Sequence, residues 1–207
     1  MVRIAEIMHA KKLPEDFRQY TINRWYNYIT SLIVCDFFEK HPRVKPYPDK
    51  RGKCADFFID GKPFDLKMTF VPKAWSPERV LKSLRDPRQL ITYYYKAMGT
   101  DRAHFGNKIF LVMTDIDEVG THPWWMKREF DALEKVVKLY LDRTEGTEFF
   151  RNFEIRFKAS FVTVSAADAV FLVRESRNFY YYSFKWKANI PEVMAGEINS
   201  NAVVIKP

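Results

Sequence analysis

The sequence predicts an α/β protein with a mixed central sheet flanked by helices. Three segments support this class: a long helix over residues 14–40, a β-hairpin over residues 54–70, and a continuous apolar strand over residues 108–114. An apolar run without polar alternation is typical of a strand that is buried on both faces. The expected core therefore has the order helix, three strands, helix, strand, and a β-rich segment follows it.

The first element is a helix that begins at Pro14 and ends near Lys40. Its apolar positions recur at the helical period and are expected to face the core. They are Tyr20, Trp25, Tyr28, Ile29, Leu32 and Phe38. A short strand is expected after this helix, near Val44.

The hairpin is centred on Asp60-Gly61, a dipeptide that favours a two-residue type I′ turn. Counting outward from this turn places Asp56 opposite Asp65, in a pair whose side chains approach closely. Opposed carboxylates destabilise a sheet, but a divalent cation between them would turn repulsion into coordination. Lys67 lies two residues beyond Asp65 and projects from the same face. The pattern therefore predicts a metal site, although a half-buried strand with a solvated polar face shows the same alternation.

The next helix has recognisable signals at both ends. Asp86 can cap its N-terminus, Pro87 suits its first position, and Gly99 closes it. Gln89 and Tyr93 are four residues apart and therefore share one face of this helix. One side of the helix is thus expected to present both polar side chains.

An acid at Asp56 precedes the tripeptide Asp65-x-Lys67 in the hairpin, and the pair Gln89-x-x-x-Tyr93 follows on the next helix. This order of motifs resembles the PD-(D/E)xK nuclease superfamily, particularly its RecB-like branches. The resemblance implies a restriction-endonuclease-like core in which Asp56 and Asp65 bind Mg²⁺, with Mn²⁺ as a substitute. It implies that Lys67 positions or activates the attacking water. It also implies that the helix bearing Gln89 and Tyr93 contributes to the active site or contacts nucleic acid.

The implied activity is hydrolysis of phosphodiester bonds by a Mg²⁺-dependent DNA endonuclease of the restriction or mobile-element type. Many members of this superfamily carry a further metal-binding glutamate on the first helix. Asn27 is the residue near the equivalent position here, and Glu39 at the far end of the same helix is an alternative. Because an amide is a weaker ligand than a carboxylate, the competing hypothesis is a non-catalytic nucleic-acid-binding module that retains the nuclease fold.

The charge distribution favours a nucleic-acid partner, and DNA is the expected one. The net charge is +8, and basic residues concentrate before the hairpin and around the second helix. The residues expected to bind phosphates are Lys45, Lys50, Arg51, Lys53, Arg85 and Arg88. A solvated charged surface would have the same composition. A homodimer would suit cleavage of a duplex, because a two-fold axis presents one active site to each strand.

Length and composition indicate one domain over residues 1–207, with a nuclease-like core over residues 14–115 and an extension over residues 116–207. The extension is expected to contain one helix and then several strands. No apolar run in the sequence is long enough to span a membrane, and no secretory signal is found. A cytoplasmic location is therefore expected.

Overall fold

The structure, a computed structural model, describes most of the chain. The described residues are 6, 14–48, 55–98, 106–142, 153–157, 160–164, 166–175, 178–183 and 203–205. The helices among them are α1 (Glu15–Glu39), α2 (Pro77–Arg85), α3 (Arg88–Ala97), a short 3₁₀ helix (Trp124–Arg128) and α4 (Phe130–Asp142). The strands are β1 (Val44–Pro46), β2 (Phe57–Ile59), β3 (Lys62–Phe70), β4 (Lys108–Asp115), β5 (Phe153–Phe157), β6 (Ser160–Val164), β7 (Ala167–Glu175), β8 (Asn178–Ser183) and β9 (Val203–Ile205). None of the described helices combines the length and the apolar character that a membrane span needs.

Most of the described strands belong to one mixed sheet, in which seven of them have the order β1-β2-β3-β4-β7-β8-β9. Its neighbours β3, β4 and β7 run parallel, and its other pairs are antiparallel. Strands β5 and β6 form a separate antiparallel pair. The predicted class, an α/β protein with a mixed sheet flanked by helices, is therefore confirmed. Strand β7, from the predicted extension, pairs with β4 inside the central sheet.

The β2–β3 hairpin has the register that the turn dipeptide predicts. Its pairs are Ile59 with Lys62, Phe58 with Pro63, and Phe57 with Phe64. Asp60 and Gly61 have φ angles of 49° and 80°, and both central residues of a type I′ turn require positive φ. Strand β2 begins at Phe57, so Asp56 lies one residue outside the strand. The turn thus fixes which residues of the two strands face each other.

Helix α1 confirms the predicted long helix, and Phe38 is buried as predicted, but the other buried side chains differ from the predicted set. Thr30, Val34 and Phe38 are buried, each four residues after the last. Tyr20 and Tyr28, which the sequence pattern assigned to the core face, are 56% and 61% exposed. That part of the prediction is wrong because only the C-terminal half of α1 packs against the sheet, along a narrow line of residues.

The central sheet separates two apolar clusters, because side chains alternate along its strands. Phe64 and Leu66 of β3 pack with α1 and α4 on one face. Phe110 of β4 packs with α2 and α3 on the other face. Asp65 and Lys67 alternate with Phe64 and Leu66, and they therefore face α2 and α3.

Two helices lie between β3 and β4 among the described residues, whereas the sequence predicted one. Helix α2 is capped by Ser76, whose Oγ accepts a hydrogen bond from the Arg79 N–H at 3.4 Å. Helix α3 begins at Arg88, whose N–H donates to Asp86 Oδ1 at 3.1 Å. Asp86 therefore satisfies an N–H group in the first turn of the predicted helix.

Candidate active site

Asp56 is held against the start of β3 by its main chain and by its side chain. Its N–H donates to the Phe64 carbonyl at 2.7 Å, and its Oδ2 accepts from the Leu66 N–H at 2.7 Å. Asp65 lies between these two partners in the chain, and its carboxylate is close enough to act on the ionisation of Asp56. The structure thus brings the two carboxyl groups together.

Two lysines bind the Asp65 carboxylate, one at each oxygen. Lys67 Nζ lies 2.7 Å from Oδ1, and Lys108 Nζ lies 2.7 Å from Oδ2. Lys67 belongs to the same strand, whereas Lys108 opens β4 and is the direct neighbour of Asp65 in the parallel register. The Lys67 side chain is 42% exposed and the Lys108 side chain is 5% exposed. Lys67 can therefore leave the carboxylate for water at a small cost, whereas Lys108 would become a buried, unpaired cation.

The pKa values of the two carboxyl groups shift in opposite directions. Burial raises the pKa of Asp56, and the Asp65 carboxylate adds to this shift against the opposing effects of the Leu66 N–H and Lys67. Burial also acts to raise the pKa of Asp65, but the ammonium groups of Lys67 and Lys108 outweigh it and hold that pKa below its ordinary value. Acids whose pKa values are pushed apart suit a site in which one group stays ionised and the other can carry a proton.

Lys108 belongs to the site, although the sequence motifs did not indicate it. It opens a strand whose residues are all buried. A lysine at the start of a run that is predicted to be buried is a usable signal, because buried lysines are usually paired. Choosing Asp65 as its partner requires the register between β3 and β4, which no local turn specifies.

Gln89 and Tyr93 of α3 lie towards the other end of β3 from Asp65. Gln89 Oε1 accepts from Arg79 Nε at 3.4 Å, and the Tyr93 ring packs edge-on against Trp75 with centroids 5.8 Å apart. Trp75 follows the end of β3. That end lies about 16 Å along the strand from Asp65, at roughly 3.3 Å per residue, so the residues that contact Trp75 are far from the acid pair. Within the described residues, neither Gln89 nor Tyr93 forms a hydrogen bond or ring contact with the acid pair.

Another tyrosine of α3, Tyr95, is close to the acid pair. Burial raises the pKa of its hydroxyl, and the Asp65 carboxylate raises it further. The hydroxyl donates to the Gly106 carbonyl at 2.9 Å, just before β4. The sequence pattern did not indicate Tyr95, because the four-residue spacing from Gln89 singled out Tyr93 instead.

The first helix places its two candidate ligands away from Asp65. Asn27 Oδ1 accepts from Lys127 Nζ at 2.5 Å, and Lys127 Nζ lies 5.1 Å from the ring centroid of Phe70, the last residue of β3. Glu39 ends α1. Because α1 packs on the sheet face opposite to Asp65, Glu39 and the Asp65 carboxylate lie on different sides of the sheet.

The predicted phosphate-binding residues are only partly described. Those outside the described residues are Lys50, Arg51 and Lys53. Lys45 is exposed on β1, and the N–H of Tyr47 at the end of this strand donates to the Asp56 carbonyl at 3.2 Å. Arg85 ends α2, and Arg88 is exposed at the start of α3. Strand β1 is thus joined to Asp56 by a main-chain hydrogen bond, and Lys45 pairs with Phe58 of β2.

The oxygen ligands of the site fit a hard divalent cation held through two carboxylates. Mg²⁺ is usually bound by one or two carboxylates, and waters and substrate phosphates complete its coordination. Asp56 and Asp65 supply two carboxylates, and no group of three or more potential metal-binding side chains occurs in the described parts of the chain. Each carboxylate oxygen has two lone pairs. The ammonium groups of Lys67 and Lys108 therefore compete with a metal ion at Asp65 without excluding it.

Comparison of the chain with protein-family models, with curated proteins and with solved structures gives no match. Neither relatives nor structural neighbours therefore assign a role to the acid pair. Its role has to be inferred from the hairpin, its two acids and the two lysines that bind Asp65.

Proposed function

We propose that this chain is a metal-dependent nuclease that hydrolyses phosphodiester bonds, specifically a Mg²⁺-dependent DNA endonuclease of the restriction or mobile-element type. The observation that supports this proposal is the grouping of Asp56, Asp65 and Lys67 on one face of the hairpin. Their identity and order resemble the motif of PD-(D/E)xK nucleases. The net charge of +8 favours association with a polyanion.

Asp56 and Asp65 are the groups that would hold the metal ion. When bound, the metal would polarise a phosphate oxygen and lower the pKa of a water ligand. Asp65 stays ionised because its pKa is held low, so it remains a charged ligand at neutral pH. Asp56, whose pKa burial raises, ionises more readily when a cation approaches it.

The two lysines have different tasks in this proposal. Lys67 is the more exposed, so its ammonium can turn from Asp65 towards the phosphate and stabilise the negative charge that develops there. Lys108 is buried and remains on Asp65 as a fixed counter-ion. Lys108 is therefore a positioning residue, whereas Lys67 acts on the reacting group.

We assign Gln89 and Tyr93 to contact with the nucleic acid. Tyr93 is 42% exposed, and the Arg79 guanidinium beside Gln89 lies 4.0 Å from the ring centroid of Trp75. An exposed phenol next to a guanidinium suits contact with bases and phosphates. Lys45, near Asp56 on β1, would add a phosphate contact on the other side of the acid pair.

Conversion of supercoiled plasmid to nicked or linear DNA, with Mg²⁺ or Mn²⁺, tests the proposal. Asp65→Asn removes a charge from the site, and Asp131→Asn removes one from an exposed position of α4 as the matched control. We expect wild type and Asp131→Asn to cleave, and Asp65→Asn and Lys67→Met to cleave at least about 100-fold more slowly. Wild-type rates in a folded Asp65→Asn variant would refute the assignment.

A non-catalytic nucleic-acid-binding module is the second candidate. It is favoured by the ammonium group on each oxygen of Asp65 and by the presence of only two acids at the described site. Such a module would bind DNA with a steep salt dependence but would not cleave it. Measurement of Mn²⁺ binding distinguishes the two candidates. If wild type binds Mn²⁺ and Asp65→Asn does not, the nuclease is supported. If wild type binds DNA but no Mn²⁺, the binding module is supported.

A further inference from the structure

Two lysines are buried among the described residues, and they have different partners. Lys108 pairs with the Asp65 carboxylate. Lys127, in the 3₁₀ helix before α4, is 4% exposed, and its Nζ donates to the neutral Asn27 Oδ1 at 2.5 Å. No acid in the described ranges forms an ion pair with Lys127. This ammonium is therefore a buried cation without a counter-charge from those residues.

Aromatic rings surround the Lys127 ammonium, and a histidine ring packs against one of them. Nζ lies 5.1 Å from the ring centroid of Phe70 and 5.0 Å from that of Trp124, so cation–π attraction offsets part of the cost of burial. The His122 ring stacks on Phe70 with centroids 5.3 Å apart. Burial, followed by the charges of Lys73 and Lys127, lowers the pKa of His122. Burial also lowers the pKa of Lys127, to about 8. Both shifts indicate an environment that disfavours additional positive charge.

This cluster lies at the carboxyl end of two parallel strands. Phe70 is the last residue of β3, and His122 and Trp124 follow β4. Ligands of open α/β sheets bind in the crevice at the carboxyl ends of the strands. Trp124 is 42% exposed, and its ring packs edge-on against Phe70 and His122. Asp65 lies near the other end of β3 and on the other face of the sheet, so the two clusters are separate.

We propose that Lys127, His122 and Trp124 form a binding site for a mononucleotide. The phosphate group would supply the negative charge that the described surroundings of Lys127 lack, and it would accept hydrogen bonds from Nζ and from the His122 ring. The base would stack on the exposed indole of Trp124. Lys73, whose charge already acts on His122, would add longer-range attraction. This site does not rest on the proposed nuclease activity.

Isothermal titration with 2′-deoxyadenosine 5′-monophosphate and with inorganic phosphate tests the proposal. EDTA is present throughout, so that a metal ion at the acid pair takes no part. We expect wild type to bind the nucleotide about tenfold more tightly than inorganic phosphate, because only the nucleotide has a base to stack. Lys127→Met should bind the nucleotide at least about tenfold more weakly than wild type. Lys138→Met, at an exposed position of α4, is the matched control and should bind as wild type does.

Thermal unfolding distinguishes a ligand site from a lysine that only supports the fold. Lys127→Met removes a buried charge that lacks a counter-ion, so without ligand it should unfold at the same temperature as wild type or higher. The nucleotide should raise the unfolding temperature of wild type and leave that of Lys127→Met unchanged.

His122→Gln keeps the buried ammonium and provides a second variant in case Lys127→Met does not fold. It should bind the nucleotide several-fold more weakly than wild type. The proposal is overturned if wild type does not bind the nucleotide, or if the folded variants at Lys127 and His122 bind it as tightly as wild type does. Nuclease activity is measured separately, so failure of one proposal leaves the other intact.

Discussion

Replacing Lys108 by methionine should destabilise the protein much more than replacing Lys67 by methionine. Both ammonium groups lie 2.7 Å from Asp65, but the Lys108 side chain is 5% exposed and the Lys67 side chain is 42% exposed. Removing one partner of a buried ion pair costs about 3–5 kcal/mol, but Asp65 keeps Lys67, so we expect Lys108→Met to cost about 2–3 kcal/mol. Lys67→Met breaks a pair that solvent screens and should cost about 0.5–1 kcal/mol.

The pH dependence of this effect follows from the lowered pKa of Asp65. A carboxyl group whose pKa is lower in the folded than in the unfolded protein adds stability above about pH 4, the unfolded value. That stability is lost as the pH falls through the folded value. Lys108→Met removes one of the two ammonium groups that lower the pKa of Asp65, so the pKa of Asp65 in the folded protein rises. The difference in stability between wild type and Lys108→Met should therefore be largest near neutral pH and should shrink in acid.

Urea unfolding at neutral and acid pH measures both effects. In thermal unfolding of a chain of this length, the stability that Lys108→Met is expected to lose corresponds to a fall of roughly 5–10 °C in Tm. In an Asp65→Asn background, Lys108→Met should cost little, because the ammonium no longer has a charged partner there. Lys108 is not the buried counter-ion of Asp65 if Lys108→Met is as stable as Lys67→Met, or if its cost is the same in the Asp65→Asn background.

Three further predictions concern single residues. Asp56→Asn should raise the unfolding temperature at neutral pH, because the raised pKa of Asp56 means that its ionisation costs stability as the pH rises from about 4. The same variant should abolish Mn²⁺ binding, because it removes one of the two carboxylate ligands. A lower unfolding temperature at neutral pH would contradict the first expectation. The stability of wild type relative to Lys127→Met should rise between pH 8 and pH 10.5, because the folded state binds fewer protons at Lys127 than the unfolded state does over that interval. A series of Tm measurements for both proteins across this interval checks the sign. A difference in Tm that does not change with pH would contradict the prediction. Gly61→Ala should cost about 1–2 kcal/mol in urea unfolding, because its φ is +80° although nothing lies within 4 Å of the new Cβ. An unchanged urea midpoint in Gly61→Ala would mean that the turn is not held in this conformation.

The hairpin could be predicted from the sequence because local chemistry determines its register. Asp60-Gly61 specifies a two-residue turn, and strict alternation then places Asp65 and Lys67 on one face. Helix α1 could be predicted in length but not in orientation. Its exposed residues Tyr20 and Tyr28 repeat at a helical spacing, as its buried residues do, so the pattern alone does not show which stripe the sheet covers.

Lys108 and Tyr95 could not be predicted as neighbours of Asp65, because both depend on contacts between distant parts of the chain. Lys108 and Asp65 are 43 residues apart, and parallel strands are joined by a crossover that leaves their register open to tertiary packing. Tyr95 approaches Asp65 only because α3 packs across the parallel strands. The motif of two acids and a lysine was therefore readable in the sequence, whereas the second lysine required the fold.

The two clusters along β3 should contribute independently to stability. Antiparallel pairing with β2 brings Asp56 to Asp65 near the start of β3, whereas the Lys127 cluster surrounds Phe70 at its end. These places are about 16 Å apart along the strand at roughly 3.3 Å per residue, and they lie on opposite faces of the sheet. The changes in unfolding free energy that Lys108→Met and Lys127→Met cause, a loss for the first and no loss for the second, should therefore add within about 0.5 kcal/mol in the double variant when measured by urea unfolding. A larger deviation would mean that β3 couples the two ends, and nucleotide binding at Lys127 would then be expected to change Mn²⁺ affinity at the acid pair.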